Sequence, residues 1–322
     1  MKLSEMIIQK DQHLDLPHNN SKLLDIITTS RTNIRKNIPM VHDMITHPWN
    51  RSVGDVGGIE RNWELIETGL SFNSVIYAIK QDDNYIYIGG YFTGTNMERF
   101  AVIDKSNWQL INTGISFNHW VFSMFQDNNY IYVGGQFTGT FAVIDKSNWQ
   151  LINTGRSFGS NVETISQDNN YLYIGGRFTD GRFMVINKID WSIIDTNLSF
   201  NSDIYSITND NNYIYVGGQF RGTNMERFAV IDKSNWQLIE TELLFNDYIW
   251  TIFQDSKYIY LGGRFTGTNM NYFTRIEKSN WQLIETNLSF NQQVSTITQD
   301  NNYIYLGGGF TGIDMERFAV IS

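Results

Sequence analysis

The 322-residue sequence has no cysteine, only three prolines and no apolar run long enough to cross a membrane as a helix. Without cysteine, disulfides, thiolate metal sites and cysteine nucleophiles are excluded outright. Basic residues are also scarce: 24 Lys and Arg stand against 33 Asp and Glu, for a net charge of -9. That balance argues against an electrostatic grip on nucleic-acid phosphates, which needs a basic face. Met1 to Pro17 holds no apolar stretch of signal-peptide length. A role outside a cell would therefore need another route of release, such as a virion freed by lysis. The expected location is a virion or an extracellular surface without membrane insertion, with a cytoplasmic one left open.

Aromatic residues, by contrast, make up 15% of the chain, and 26 glycines accompany many Asn and Thr. This composition favours short strands and tight turns, hence an all-β protein. An internal repeat then fixes the architecture. A Tyr-x-Gly-Gly or near variant ends at Gly90, Gly135, Gly176, Gly218, Gly263 and Gly308, at spacings of 45, 41, 42, 45 and 45. Trp63, Trp108, Trp149, Trp191, Trp236 and Trp281 follow the same five spacings. The segment Phe-Ala-Val-Ile-Asp-Lys-Ser-Asn-Trp-Gln-Leu-Ile recurs unchanged from Phe100, Phe141 and Phe228, as recent duplication would leave it.

Each unit reads as four strands, in the first unit Val75 to Lys80, Asn84 to Tyr91, Phe100 to Asp104 and Trp108 to Asn112. Asp-Asp-Asn or Asp-Asn-Asn joins the first pair and Asp-Lys-Ser-Asn the second pair, both suited to hairpin turns. Tandem four-stranded units of this length predict a six-bladed β-propeller over residues 58–322. The chain ends in a third strand at Arg317 to Ser322, while an unmatched fourth strand stands upstream at Arg61 to Thr68. N-to-C-terminal strand closure of the sixth blade is therefore expected, since an open sheet edge invites aggregation.

The Gly-Gly after an apolar strand, followed by Phe-Ala-Val-Ile-Asp-x-x-x-Trp, resembles a kelch repeat. Through turns such as Gly135-Gln136-Phe137-Thr138 it is also similar to the bacterial delta-60 type of propeller repeat. The resemblance spans residues 59 to 322 and implies the fold; propellers of these kinds include enzymes, receptors and scaffolds, so it does not imply one activity. The copper-oxidase chemistry of some kelch-like enzymes lacks its required cysteine here.

Residues 1–57 do not share the repeat, and hold all three prolines and four of the five histidines. Ser21 is placed to cap a helix through Leu23, Leu24, Ile26 and Ile27 toward Ile34. The segment is read as a docking arm for other subunits of a larger assembly, or else as a tail packed on the propeller side. His13, His18, His42, Asp43 and His47 match no strong ligand spacing, so no metal or cofactor is expected.

Asp82, Asp127, Asp168, Asp210, Asp255 and Asp300 recur in the first turn of every unit, which fits turn-holding better than catalysis. The repeated tryptophans read as packing groups between blades. Only His119 lies within the repeats as a near-neutral acid or base, and no nucleophile motif appears. A non-enzymatic module is expected. A soluble carbohydrate-binding or glycan-hydrolysing propeller is the alternative, with Trp120, Tyr248 and Trp250 as stacking platforms beside acids.

Near-identical units differ in three places: the start of the first strand, the residue after Gly-Gly, and the second-to-third loop, shortened in units 2 and 3. All three fall on one propeller face. Tyr91, Trp120, Gln136, Arg177, Asp203, Gln219, Tyr248, Arg264 and Gln293 are the candidate partner-binding residues there, because aromatic and arginine side chains dominate binding hot spots. A host-surface glycan or protein is the expected partner, and nucleic acid is not.

Overall fold

In the computed structural model, Ile66–Ser322 forms a compact unit of its own. The structure describes residues 66–322 except 180, 269, 301, 313, 314 and 322. The expectations placed on residues 1–57, including the capped helix and docking arm, lie outside the described residues.

Residues 66–322 form six antiparallel sheets that follow one another as the blades of a six-bladed β-propeller. Blade 1 is β1 (Ile76–Gln81), β2 (Tyr85–Gly90), β3 (Phe100–Asp104) and β4 (Leu110–Ile111). Blade 2 is β5 (Val121–Gln126), β6 (Tyr130–Gly135), β7 (Phe141–Asp145) and β8 (Gln150–Ile152). Blade 3 is β9 (Val162–Gln167), β10 (Tyr171–Gly176), β11 (Phe183–Asn187) and β12 (Ile193–Ile194). Blade 4 is β13 (Ile204–Asn209), β14 (Tyr213–Gly218), β15 (Phe228–Asp232) and β16 (Leu238–Ile239). Blade 5 is β17 (Ile249–Gln254), β18 (Tyr258–Gly263), β19 (Phe273–Glu277) and β20 (Gln282–Ile284). Blade 6 has three strands among the described residues: β21 (Val294–Gln299), β22 (Ile304–Gly308) and β23 (Phe318–Ile321).

Strands 1 and 2 of blade 1 start and end within a residue of the sequence reading. The fourth strand is shorter than expected, and the reason is the tryptophan that precedes it. Trp108, Trp149, Trp191, Trp236 and Trp281 all have φ between 57° and 60°, so each belongs to the turn. Its N–H donates to the carbonyl of the residue four back, as from Trp108 to Asp104. A bulky residue rarely takes this left-handed conformation, and stacking compensates it here. Trp149 meets Tyr85 of the preceding blade edge-on at 5.5 Å, and Trp191, Trp236 and Trp281 repeat this on Tyr130, Tyr171 and Tyr213 at 6.0, 5.7 and 5.3 Å. These four tryptophans are interblade packing groups, as the sequence implied.

The first strand of each blade is innermost: β1 lies against β5, β5 against β9, β9 against β13, β13 against β17 and β17 against β21. Between them the core is built from the large side chains on both faces of each second strand, with Tyr87, Tyr132, Tyr173 and Tyr215 fully buried. The two repeated glycines answer two different contacts. A Cβ on Gly134 would stand 2.4 Å from Val162 Cγ1 of the next blade, and one on Gly135 would stand 2.0 Å from the Trp120 carbonyl oxygen. Gly135→Ala is therefore expected to cost roughly 1–3 kcal/mol or more, because backbone must move to admit the methyl group. A thermal melt several degrees below wild type checks this; an unchanged melt contradicts the packing.

The turn aspartates do what the sequence suggested, and more. Oδ1 of Asp127 accepts from the N–H groups of Asn129 and Tyr130, while Oδ2 accepts from Tyr132 Oη at 2.7 Å. The same oxygen receives Lys188 of the following blade at 2.7 Å, and Asp82–Lys146, Asp168–Lys233 and Asp210–Lys278 repeat the pair at 2.5–2.8 Å. Desolvation, the largest single influence on Asp127, works to raise its pKa, but the bonds from Lys188, Tyr132 and the two N–H groups outweigh it and hold it below 3.8. Asp82, Asp168 and Asp210 are lowered in the same way. A folded-state pKa below the unfolded one means that this stability is fully present above about pH 4 and is lost as pH falls further. The melting temperature should accordingly stay level from about pH 5 to 8 and drop steeply below about pH 4. Asp168→Asn should cost roughly 2–3 kcal/mol at neutral pH and flatten that acid limb; equal slopes in the two proteins would contradict the assignment.

Candidate functional site

The lysines of the third-to-fourth turns reach first-turn carbonyls of their own blades, as Lys146 Nζ does to Asp127. Both constant turns thus share one face. On the opposite face, the N–H of the residue after each Gly-Gly donates to the carbonyl just before the first strand: Tyr91 to Val75, Gln136 to Trp120, Arg177 to Asn161, Gln219 to Asp203, Arg264 to Tyr248 and Gly309 to Gln293. The variable positions are therefore brought together at the inner rim of one face, as expected.

There the structure assembles three groups. In the first, Tyr91 of blade 1 lies edge-on to Trp120 of blade 2 at 5.3 Å, with His119 5.9 Å from Tyr91 and Tyr77 6.2 Å from Trp120. In the second, Arg177 Nε sits 2.8 Å from Glu163 Oε1 and 3.5 Å from Asp203 Oδ2, and Arg182 also pairs with Asp203. In the third, Tyr205 Oη donates to Gln219 Oε1 at 3.0 Å and Gln219 Nε2 donates to Tyr248 Oη at 2.8 Å. Arg264 leans over the Tyr248 ring at 5.9 Å and pairs with Asp247 at 3.6 Å. Burial first, and then the Asp203 charge, raise the Tyr205 pKa, which keeps its hydroxyl a donor. Gln136 and Gln293 do not join these groups; Gln293 instead packs where a side chain on Gly309 would stand.

Apart from Trp250, sequence reading missed two sets of residues at this rim. Every first strand slips register at its second residue, a β-bulge that makes Tyr77, Phe122, Glu163, Tyr205, Trp250 and Ser295 the extra residue. Bulges re-aim side chains and cluster near functional sites. The signal was available, since this position varies more than the residues directly on either side of it. The second set is a supporting layer, Arg99, Arg182 and Arg227, each with positive φ just before the third strand. Arg99 lies 4.7 Å over the Tyr91 ring, and Arg227 lies 5.2 Å over Tyr248 while donating to the Gln219 carbonyl. These arginines recur between blades and support the variable layer.

One face thus offers aromatic surfaces, half-exposed guanidinium groups and amide donors held in fixed positions. Arg177 and Arg264 side chains are 48% and 52% exposed, and Tyr91 is 40% exposed. Among the described residues no group of three or more His, Asp or Glu is placed to hold a metal ion, and no helix is long and apolar enough to cross a membrane.

No family model and no curated protein matches the chain, so the likeness to kelch and delta-60 repeats rests on the repeat's own residues. Solved structures do match in fold. The WD40 β-propeller domain of Doa1 is similar with a TM-score of 0.57 at 11% identity, over 79% of this chain and 84% of that one. The extracellular domain of the putative one-component system BT4673 from B. thetaiotaomicron gives 0.56 at 20% identity, over 74% of this chain but only 31% of its own. The computationally designed Ika8 protein gives 0.53 at 15% identity, over 73% and 69%. These define a β-propeller and nothing narrower, because likeness at such identities is a likeness of fold.

Proposed function

We propose that the chain is a non-enzymatic recognition module, a structural component of a virion such as a bacteriophage head or tail, or of a comparable surface assembly. In this reading residues 1–57 attach it to neighbouring subunits, and the bulged rim engages a host-surface glycan or protein. The observation that carries the reading is the joining of sequence-variable residues from adjacent blades into shared contacts, Tyr91 with Trp120, Arg177 with Asp203, and Gln219 with Tyr248. Neutral drift on loops would have no reason to keep such pairs complementary across a blade boundary. The rim acids Glu163, Asp203 and Asp247 are each paired with arginine, which supports a binding role over general acid catalysis.

A carbohydrate ligand is favoured over a protein by one feature, the half-exposed aromatic run of Tyr77, Tyr91 and Trp120, whose faces suit sugar rings. Full-length protein tested on a glycan array and against intact host surfaces decides between them. Saturable binding to either supports recognition. Hydrolysis of an array glycan, or no binding to any surface, would overturn the module reading.

A further inference from the structure

Blades 1, 4, 5 and 6 carry the full second-to-third loop, and each folds a methionine back over the loop glycine: Met97 over Gly94, Met225 over Gly222, Met270 over Gly267 and Met315 over Gly312. Each methionine packs against its blade's core cluster. In blades 1, 4 and 5 the leucine of the fourth strand, Leu110, Leu238 or Leu283, packs on the same cluster and is half-buried. Blade 2 is four residues shorter at this place: Gly139 leads directly into Thr140, whose positive φ of 59° matches the 63° of Arg99.

Where the missing loop would lie, blade 2 has a cleft of about 600 Å³, lined among others by Phe137, Ala142, Leu151, Glu98, Asn153 and Arg156. Phe137, Ala142 and Leu151 occupy the positions of Phe92, Ala101 and Leu110, which in blade 1 belong to the core cluster that Met97 packs against or, like Met97, pack on it. With no methionine above it, Leu151 is 54% exposed. A large apolar side chain left in water beside a cleft loses the stabilisation its counterparts gain.

We infer that this cleft is a peptide-binding site, which takes from a partner protein an extended segment presenting methionine or another unbranched apolar side chain, flanked by polar residues. The occupant's chemistry is set by the molecule itself, since four of its own blades fill the equivalent space with Thr-Asn-Met-Glu-Arg or a close variant. An unbranched, flexible side chain adapts to the space between Phe137 and Leu151. The rim offers both Glu98 and Arg156, so a segment of either or no net charge is admitted. This site lies on the same face as the rim groups but stands on a different observation and does not depend on their ligand.

The test uses full-length protein and the labelled peptide Gly-Thr-Asn-Met-Glu-Arg-Phe in fluorescence polarisation. Saturable binding is expected, weakened at least tenfold when the peptide methionine is replaced by asparagine. A variant with Thr-Asn-Met-Glu inserted between Gly139 and Thr140 should lose binding at least tenfold while melting no lower than wild type, because it fills the cleft from within. Leu151→Asp is the second variant, with the same expected loss, should the insertion not fold. No saturation up to millimolar peptide, or equal affinity for the asparagine peptide, overturns the proposal. So does cleft occupancy by a sugar in place of the peptide, blocked by the same insertion.

Discussion

A protein shortened to residues 70–322 is expected to melt about 10 °C below one comprising residues 58–322, and to self-associate, whereas removing residues 1–57 alone should leave the melt unchanged. Among the described residues β23 pairs with β22 alone, and its Phe318 and Val320 are 55% and 48% exposed. On blade 1, Val75, Tyr77 and Ile79 are likewise 53%, 47% and 60% exposed. An uncovered sheet edge flanked by apolar side chains is an invitation to pairing between copies. The tryptophan ladder identifies what is missing. Trp149, Trp191, Trp236 and Trp281 each cap a tyrosine of the preceding blade, yet no tryptophan among the described residues caps Tyr258, which is met instead by Lys257 and Arg275.

The sequence holds one more copy of the required strand, Arg61 to Thr68, with Trp63 in the ladder position. Of that stretch, Ile66 to Thr68 are described and lie in no strand, and residues 61–65 lie outside the described residues. Burial of Trp63, Leu65 and Ile66 on the free edge would contribute roughly 1.5–3 kcal/mol per side chain, hence the size of the expected shift. Calorimetry with size-exclusion chromatography checks both parts. Identical melts for the two truncations would sink the closure assigned to residues 61–68, and loss of folding in the 58–322 protein would place the N-terminal segment in the core.

The fold was legible because each blade repeats its constraints: glycine where a neighbouring side chain and a carbonyl crowd the backbone, aspartate where a turn needs an acceptor, and apolar residues on both faces of the second strand. Contacts between blades were not legible in the same way. Lys188 reaches Asp127 and Trp191 reaches Tyr130 across a boundary that no spacing within one unit reveals. The turn asparagines illustrate the limit. Asn128, Asn169 and Asn211 recur in the first turn directly after the aspartate, yet it is the aspartate that accepts the turn N–H groups and carries the interblade lysine. At the rim, the rule that divergence marks use picked out Tyr91, Trp120, Arg177, Asp203, Gln219, Tyr248 and Arg264 as candidates, and the structure joins them in shared contacts. It passed over the arginines beneath them, because supporting residues repeat.

The combined substitution of Trp120, Arg177, Tyr248 and Arg264 by alanine should weaken partner or glycan binding at least a hundredfold while the protein stays folded. The four do different work. Arg177 and Arg264 are half-exposed, and their removal leaves Glu163 and Asp247 without their arginines and Asp203 with Arg182 alone, so that the rim becomes more acidic. Tyr248 terminates the Gln219 bond chain, and Trp120 packs with Tyr77, Tyr91 and Phe122, so roughly 1–3 kcal/mol of stability should be lost with them. The matched control is Asp127→Ala with Asp168→Ala on the constant face, which should cost at least as much stability and spare recognition in the folded fraction. The most direct measurement is therefore binding of these two variants and wild type to the same immobilised host surface or array glycan, at a temperature where all three are folded. The account predicts loss in the rim variant and retention in the turn variant; retention in the rim variant with loss in the turn variant would place the working surface on the opposite face.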